Sequence, residues 1–164
     1  MTPTPALATL CHDPFFEPGW IYERKLDGER CLAVKRDGRT ELRSRPGRDV
    51  TGSFPEVAEA LDAQAADGFV LDGEVVAFDG PRTSFSRLQG RIQISDPQRA
   101  RRTGIRVHHD VFDVLESDGE DRRDLPQRER KALLRAEWTG ANQLRHPRYL
   151  GLRRDKAAKD VVRE

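Results

Sequence analysis

The sequence predicts an α+β fold on three observations. Short runs rich in β-forming residues, WIYERKL, ERCLAVKR and TELRS, follow one another with Asp-Gly pairs between them. Segments with helix-start signals, SFPEVAEALDAQAA and DLPQRERKALLRA, come later. Strands and helices do not alternate as regular βαβ units, which argues for antiparallel sheets flanked by helices.

Residues 1–19 carry four prolines and no clean period, so they read as an irregular lead-in. The three β-rich runs then form a meander, with Asp27-Gly28 and Asp37-Gly38 as hairpin turns, where positive φ is needed. In the next segment Ser53 can cap a helix and Glu56 completes a capping box, with Val57, Ala60 and Leu61 on the apolar face. FVLDGEVVAFD is a buried strand by its β-branched content, and SFSRLQGRI is a short helix capped by Ser84. IRVHHDVFDVL is another strand, with Ile105, Val107, His109, Val111 and Asp113 on one face. The last helix begins near Pro126 and turns Leu133 and Leu134 inward. After Ala136 only a short strand signal, Tyr149 to Leu152, precedes a basic polar tail.

A chain of 164 residues holds one domain with a core, or one domain and a fragment of another. Hydrophobic residues make up 36% and charged residues 35%, so that core must be thin. The net charge of +1 provides no overall field for a polyanion. Nucleic-acid contact would have to come from local patches, such as Arg99, Arg101 and Arg102 or the basic tail, although such runs are more often solvated faces. Cys11 and Cys31 make neither a disulfide framework nor a zinc spacing and read as reduced thiols of a cytoplasmic protein. No basic stretch leads into an apolar run at the N-terminus, and nothing approaches the roughly 18 apolar residues of a membrane span. His108 and His109 are adjacent on a strand, so they face opposite ways and cannot chelate one ion together.

The stretch YERKLDGER needs separate attention. Asp-Gly occurs six times in the chain, so one such pair alone signals only a turn. Glu23, Lys25, Asp27 and Glu29 alternate, however, and on a continuous strand they would make one face charged throughout. That face is either solvent or the lining of a polar pocket. An amine nucleophile must be neutral to attack, a state favoured by burial or neighbouring cations, and Arg24 and Arg30 are close in sequence.

ERKLDGER resembles the K-x-D-G-x-R signature of the covalent nucleotidyltransferases, which include ATP-dependent DNA ligases, RNA ligases and mRNA-capping enzymes. LRSRPGRDVTGSFPEV is similar to the next ligase block, LDGEVVAFD to the D-G-E block, and HHDVFDVLESDGEDRRDLPQRERKALL to the F-D-x-L block and its helix. SFSRLQGRI resembles the corresponding helix of bacterial end-joining ligases. The five blocks run in family order over residues 7–136.

The resemblance implies a partial, ATP-grasp-like nucleotidyltransferase (adenylation) domain over residues 1–136, using ATP and Mg2+ on nicked or broken double-stranded DNA in repair or recombination. It implies that Lys25 attacks the α-phosphorus and becomes lysyl-AMP, with Asp27 orienting it. Glu23 would lie near the adenine amino group, Arg30 on the ribose or a phosphate, and Arg45 on the sugar or the DNA 5′-phosphate. Glu74 would reach the ribose hydroxyl or a magnesium ion, and Phe112 would stack on the adenine.

The resemblance then breaks. Residues 137–164 contain no Glu-Gly block with a metal-binding glutamate and no pair of phosphate-binding lysines, and 28 residues cannot make a five-stranded barrel. They do resemble the extreme C-terminus of end-joining ligases, with an R-x-D-K element at Arg153, Asp155 and Lys156. Two accounts stand: an internal deletion joining the first part of the adenylation domain to the end of the barrel near Ala136-Glu137, or a compact variant whose tail replaces the missing parts. The first is favoured. It leads us to expect impaired sealing or a non-catalytic ATP- and DNA-binding remnant, exposed apolar surface, and a role for a separate polypeptide that supplies the rest.

Overall fold

A computed structural model of the chain describes residues 5–138, apart from 8, 11 and 14. Cys11, the strand signal at 149–152 and the R-x-D-K element ending in Lys156 lie outside the described residues. The chain enters β1 (Glu29–Arg36), turns and returns as β2 (Arg39–Ser44), with Cys31 opposite Ser44 and Arg36 opposite Arg39. Asp37 and Gly38 have φ of 51° and 76°, the left-handed pair that a two-residue hairpin turn requires. Helix α1 (Pro55–Asp62) leads to β3 (Phe69–Asp79), against whose end the two-residue β4 (Arg82–Thr83) folds back. Two short helices follow, α2 (Phe85–Ile92) and α3 (Pro97–Arg102). β5 (Val107–Ser117), the short β6 (Glu120–Asp121) and α4 (Gln127–Trp138) complete the described chain. The sheet order is β2-β1-β3-β5-β6 and every pairing is antiparallel, so the α+β prediction holds.

The two sheet faces differ in chemistry. On one, Cys31, Ala33, Leu71, Val75, Ala77, Val111 and Val114 pack with Phe54, Val57, Ala58, Leu61 and Leu88 into the main core, with Leu133 and Leu134 of α4 against it. The other carries a small cluster of Leu32, Val34, Val70 and Leu115 at one end. Strand alternation places Arg30, Asp72 and Glu74 on that same face at the other end, with Asp110 opposite Glu74.

Two buried cations hold the helices to the sheet. Lys35, 3% exposed, donates through Nζ to the carbonyls of Leu61 (3.4 Å), Asp62 (3.0 Å) and Gln64 (2.7 Å), satisfying the open end of α1. Arg91, 1% exposed, pairs with Glu56 and donates to the carbonyls of Ser53 (2.7 Å) and Ile105 (2.7 Å). α2, the entry to α1 and the approach to β5 thus meet at one guanidinium.

Several expectations need correction. WIYERKL is not a strand: residues 20–27 lie outside any strand, and Asp27-Gly28 is not a hairpin turn but the entry to β1. Glu23 and Lys25 therefore share no strand face. Ser53 and Glu56 form no capping box, because Glu56 is taken by Arg91 and the Ser53 hydroxyl donates to the Ile92 carbonyl (3.1 Å). α1 starts instead with Pro55 in its first turn, where a missing N–H costs nothing. Ala58, not Ala60, packs on its inner face. β5 begins at Val107 rather than Ile105 and keeps its alternation only as far as Val111 before its register shifts. α3 is an addition, capped by Asp96, which accepts from Arg99 N–H (2.6 Å) ahead of Pro97. The Ser84 cap is present, accepting from Arg87 N–H (3.3 Å). Leu7, Leu10 and Phe16 of the lead-in are exposed, as is Trp20 just after it. Among the described residues no helix is long and apolar enough to cross a membrane.

His109 points into the core while His108 is exposed, as alternation requires. Its Nε2 lies 3.1 Å from the Cys31 carbonyl, and burial pushes its pKa down to about 4 from an ordinary value near 6.5. The folded state therefore excludes a proton that the unfolded chain binds, and stability falls as the pH drops from 6.5 towards 4. Urea melts should show the wild type losing about 3 kcal/mol more than His109→Gln across that window; parallel pH profiles for the two would show that the imidazole is not excluded from protonation.

Candidate functional site

The lysine segment is held by the two residues that follow its Leu26. Gly28 N–H donates to Glu74 Oε1 (2.8 Å) across from β3. A side chain at 28 could not be placed there, since its Cβ would lie 2.2 Å from the Val75 carbonyl oxygen and 2.8 Å from Val76 Cγ1. Asp27 is bound at both ends: its N–H donates to Thr83 Oγ1 (3.1 Å), and its Oδ2 accepts from Phe85 N–H (3.0 Å) in the first turn of α2. A carboxylate there also meets the positive end of the helix. Lys25, two residues earlier, is exposed.

Beside this anchor lies a charged floor. Arg30 makes a two-pronged bond to Asp72, Nε to Oδ1 at 3.0 Å and Nη2 to Oδ2 at 2.6 Å. That bond pushes Arg30 further above its ordinary pKa and keeps it charged. Burial pushes the Asp72 carboxyl up, and Arg30 opposes the shift. Burial likewise raises Glu74, against the Gly28 N–H and Arg30, while Asp27 and Asp110 add to the rise. Asp110, opposite Glu74, is raised by burial and pulled back by His108 and Arg24. The floor is thus a set of carboxylates that burial raises and that neighbouring donors and cations pull back.

The third wall is a bulge. The pairing passes from Val111 opposite Gly73 to Asp113 opposite Asp72, which leaves Phe112 without a partner on β3. Phe112 is half-buried, and the Arg30 guanidinium carbon lies 5.6 Å from its ring centroid. Its carbonyl accepts from Lys131 Nζ of α4 (2.7 Å), which also pairs with Glu23. Val111 and Val114 belong to the core cluster and Phe112 does not.

Glu23, Arg30, Glu74 and Phe112, named from the sequence as one site, are therefore joined by a chain of contacts and charge coupling. Arg45 lies exposed in the turn after β2, at the Arg30 end of the sheet by the pairing of Cys31 with Ser44. Lys156 lies outside the described residues. The sequence reading missed Asp72, Thr83, Asp110 and Lys131. Asp72 could have been found from strand alternation with Glu74, but Lys131 sits in a charged helix start that reads as a solvated face. Among the described residues no group of three or more His, Cys, Asp or Glu could hold a metal ion. A magnesium ion carried on a triphosphate needs only one or two carboxylates besides phosphate and water, and the facing pair Glu74 and Asp110 fits that demand.

Comparison with known proteins gives the family. The family model for the ATP dependent DNA ligase domain matches residues 5–149. The chain is 33% identical over 132 residues to the SPbeta prophage-derived DNA ligase-like protein LigB of Bacillus subtilis, covering 80% of this chain and 46% of that protein. It is 34% identical over 140 residues to the multifunctional non-homologous end joining protein LigD of Pseudomonas aeruginosa, covering 85% of this chain and 16% of that one. Among solved structures, the ligase domain of LigD from M. tuberculosis aligns with a TM-score of 0.58 at 36% identity, over 70% of this chain and 35% of that chain. A mycobacterial DNA ligase D complexed with ATP and MES aligns at 0.56 and 34% identity, with the same coverage. The match spans less than half the length of each of these relatives.

Gly28→Ala should force the lysine segment off β3. The expected cost is about 1–3 kcal/mol in a urea melt, together with loss of the amide resonance position that Gly28 owes to Glu74. A variant that melts with the wild type would show that the close approach is absent in solution.

Proposed function

The chain belongs to the ATP-dependent DNA ligase domain family, and from that premise we propose that it binds ATP on the Arg30–Glu74–Phe112 floor and is adenylated at Lys25. The observation that carries the reading is an exposed amine two residues from a doubly anchored Asp27-Gly28, beside four linked residues that suit a nucleotide. The neutral Lys25 amine attacks the α-phosphorus. A nitrogen–phosphorus bond forms, the bond to the bridging oxygen breaks, pyrophosphate leaves with that electron pair, and the amine proton passes to solvent. In this reading the AMP then passes to a DNA 5′-phosphate, and a 3′-hydroxyl displaces it to seal the nick.

The roles come from the family resemblance, and the contacts among these residues support them. Phe112 offers an aromatic face to the purine, with Glu23 at its amino group. Arg30 and Arg45 meet the ribose, the phosphates or the DNA 5′-phosphate, and Glu74 meets the ribose hydroxyl or the magnesium ion. Magnesium supplies charge cancellation on the triphosphate. The relatives named for end joining support a role in DNA repair, with nicked or broken duplex DNA as substrate and the cytoplasm as the compartment.

Residues 1–136 form, in this proposal, the first part of an adenylation domain, and 137–164 the end of an oligonucleotide-binding barrel carrying Lys156. Each charge contact that such an internal deletion removes would slow transfer by about 10² or more, and a separate polypeptide carrying those blocks would restore it. A second reading, a non-catalytic module that binds ATP or DNA, draws on the solvent-exposed side chain of Lys25 beside a floor that could hold a nucleotide.

Incubation with labelled ATP and magnesium should leave label that survives denaturation and is released by acid, as a phosphorus–nitrogen bond requires. Lys25→Ala should carry none. Equal labelling of that variant, or an unlabelled wild type, would contradict adenylation at Lys25; saturable ATP binding without label in both would establish the binding module.

A further inference from the structure

Two neighbouring residues of α4 grip two neighbouring residues of β5. Arg130 holds Asp113 with two prongs, Nε to Oδ1 and Nη2 to Oδ2, both at 2.8 Å. Lys131 Nζ donates to the Phe112 carbonyl at 2.7 Å. The grip falls on the bulge, where β3 offers Phe112 no partner and the ladder alone would leave its backbone free to shift. The same ammonium pairs with Glu23, 89 residues upstream of Phe112 and in the segment that leads to Lys25.

Exposure separates the two partners of that pair. The Lys131 side chain is 17% exposed and that of Glu23 is 42%, so the cation is sheltered while the carboxylate stays accessible. The bond uses Oε1 of Glu23, and Oε2 makes no hydrogen bond among the described residues. An accessible carboxylate oxygen beside a half-buried aromatic ring can accept from an exocyclic amine in the plane of a stacked base.

Resting on the nucleotide reading above, we propose that Lys131 is the positioning residue for purine selection. It ties Glu23 to the backbone of Phe112 at one point, which fixes the distance between the carboxylate and the stacking ring. A 6-amino purine donates to that carboxylate. A 6-oxo purine sets an acceptor against it, and a site held rigid cannot move away. Without the ammonium, Glu23 is free to swing out, the Phe112 carbonyl loses its donor, and the two purines become harder to tell apart.

Equilibrium titration with ATP and with GTP, which needs no covalent step, tests this on the whole chain. The wild type should prefer ATP, and Lys131→Met should lower the ATP-to-GTP preference about tenfold. Lys131→Arg should restore most of it. In a Glu23→Gln background, Lys131→Met should cause little further loss, because both changes break the same link. A Lys131→Met variant that keeps the wild-type preference, or that weakens both nucleotides equally while lowering the melting midpoint, overturns the positioning role and leaves the nucleotide reading standing. A wild type that binds neither nucleotide overturns both.

Discussion

The bond from the Gly28 amide to the Glu74 carboxylate governs the arrangement around the lysine segment. It forms only because position 28 has no side chain, since the backbone there lies against the Val75 carbonyl. A hydrogen bond to a charged acceptor contributes about 1.5–3 kcal/mol. It acts at the boundary where the chain stops being irregular and enters β1. Asp27 adds a second anchor on Thr83 and on the first turn of α2. Two consecutive anchored residues leave Lys25 little freedom of position, while its side chain stays open to solvent. The same bond affects the ionisation of Glu74, because the Gly28 N–H offsets part of the rise that burial causes.

The sheet serves two chemistries because alternate residues face opposite ways. Cys31, Val75 and Val111 build the core from the strands that present Arg30, Glu74 and Asp110 on the other side. Charges so close to an apolar layer need partners. Asp72 is met by Arg30 and Asp113 by Arg130, each through two bonds. α4 thereby does more than cover the core: its first turns hold the bulge that sets Phe112 apart from Val111 and Val114. Fold stability and the geometry of the proposed purine pocket share these contacts.

The fold class, the Asp37-Gly38 turn, the long central strand and the Ser84 cap were legible because each depends on residues within a few positions of one another. The lysine segment was misread as a strand because Trp20, Ile21 and Tyr22 make it rich in β-forming residues. What removes it from the sheet is long-range: a carboxylate at 74 and a helix start at 85. The supposed capping box failed for the same reason, since Glu56 has a better partner in the buried Arg91, 35 residues away. Glu23, Arg30, Glu74 and Phe112 were named through the motif resemblance, and the fold links them by contacts and charge coupling. Lys131 was not, because nothing local distinguishes a helix lysine in solvent from one that spans two walls of a site. Asp110 was not legible either, because only its pairing opposite Glu74 on β3 brings it to the floor.

The central claim is spatial: an anchored loop holds the Lys25 amine over a nucleotide whose base rests on Phe112. A crystal structure of the chain with a non-cleavable ATP analogue and magnesium tests it most directly. The account predicts the Lys25 nitrogen in contact with the α-phosphorus, the purine between Phe112 and Glu23, and the Gly28–Glu74 bond intact. A nucleotide bound away from the Arg30–Glu74 floor, or a Lys25 amine turned to solvent with the analogue in place, would contradict it.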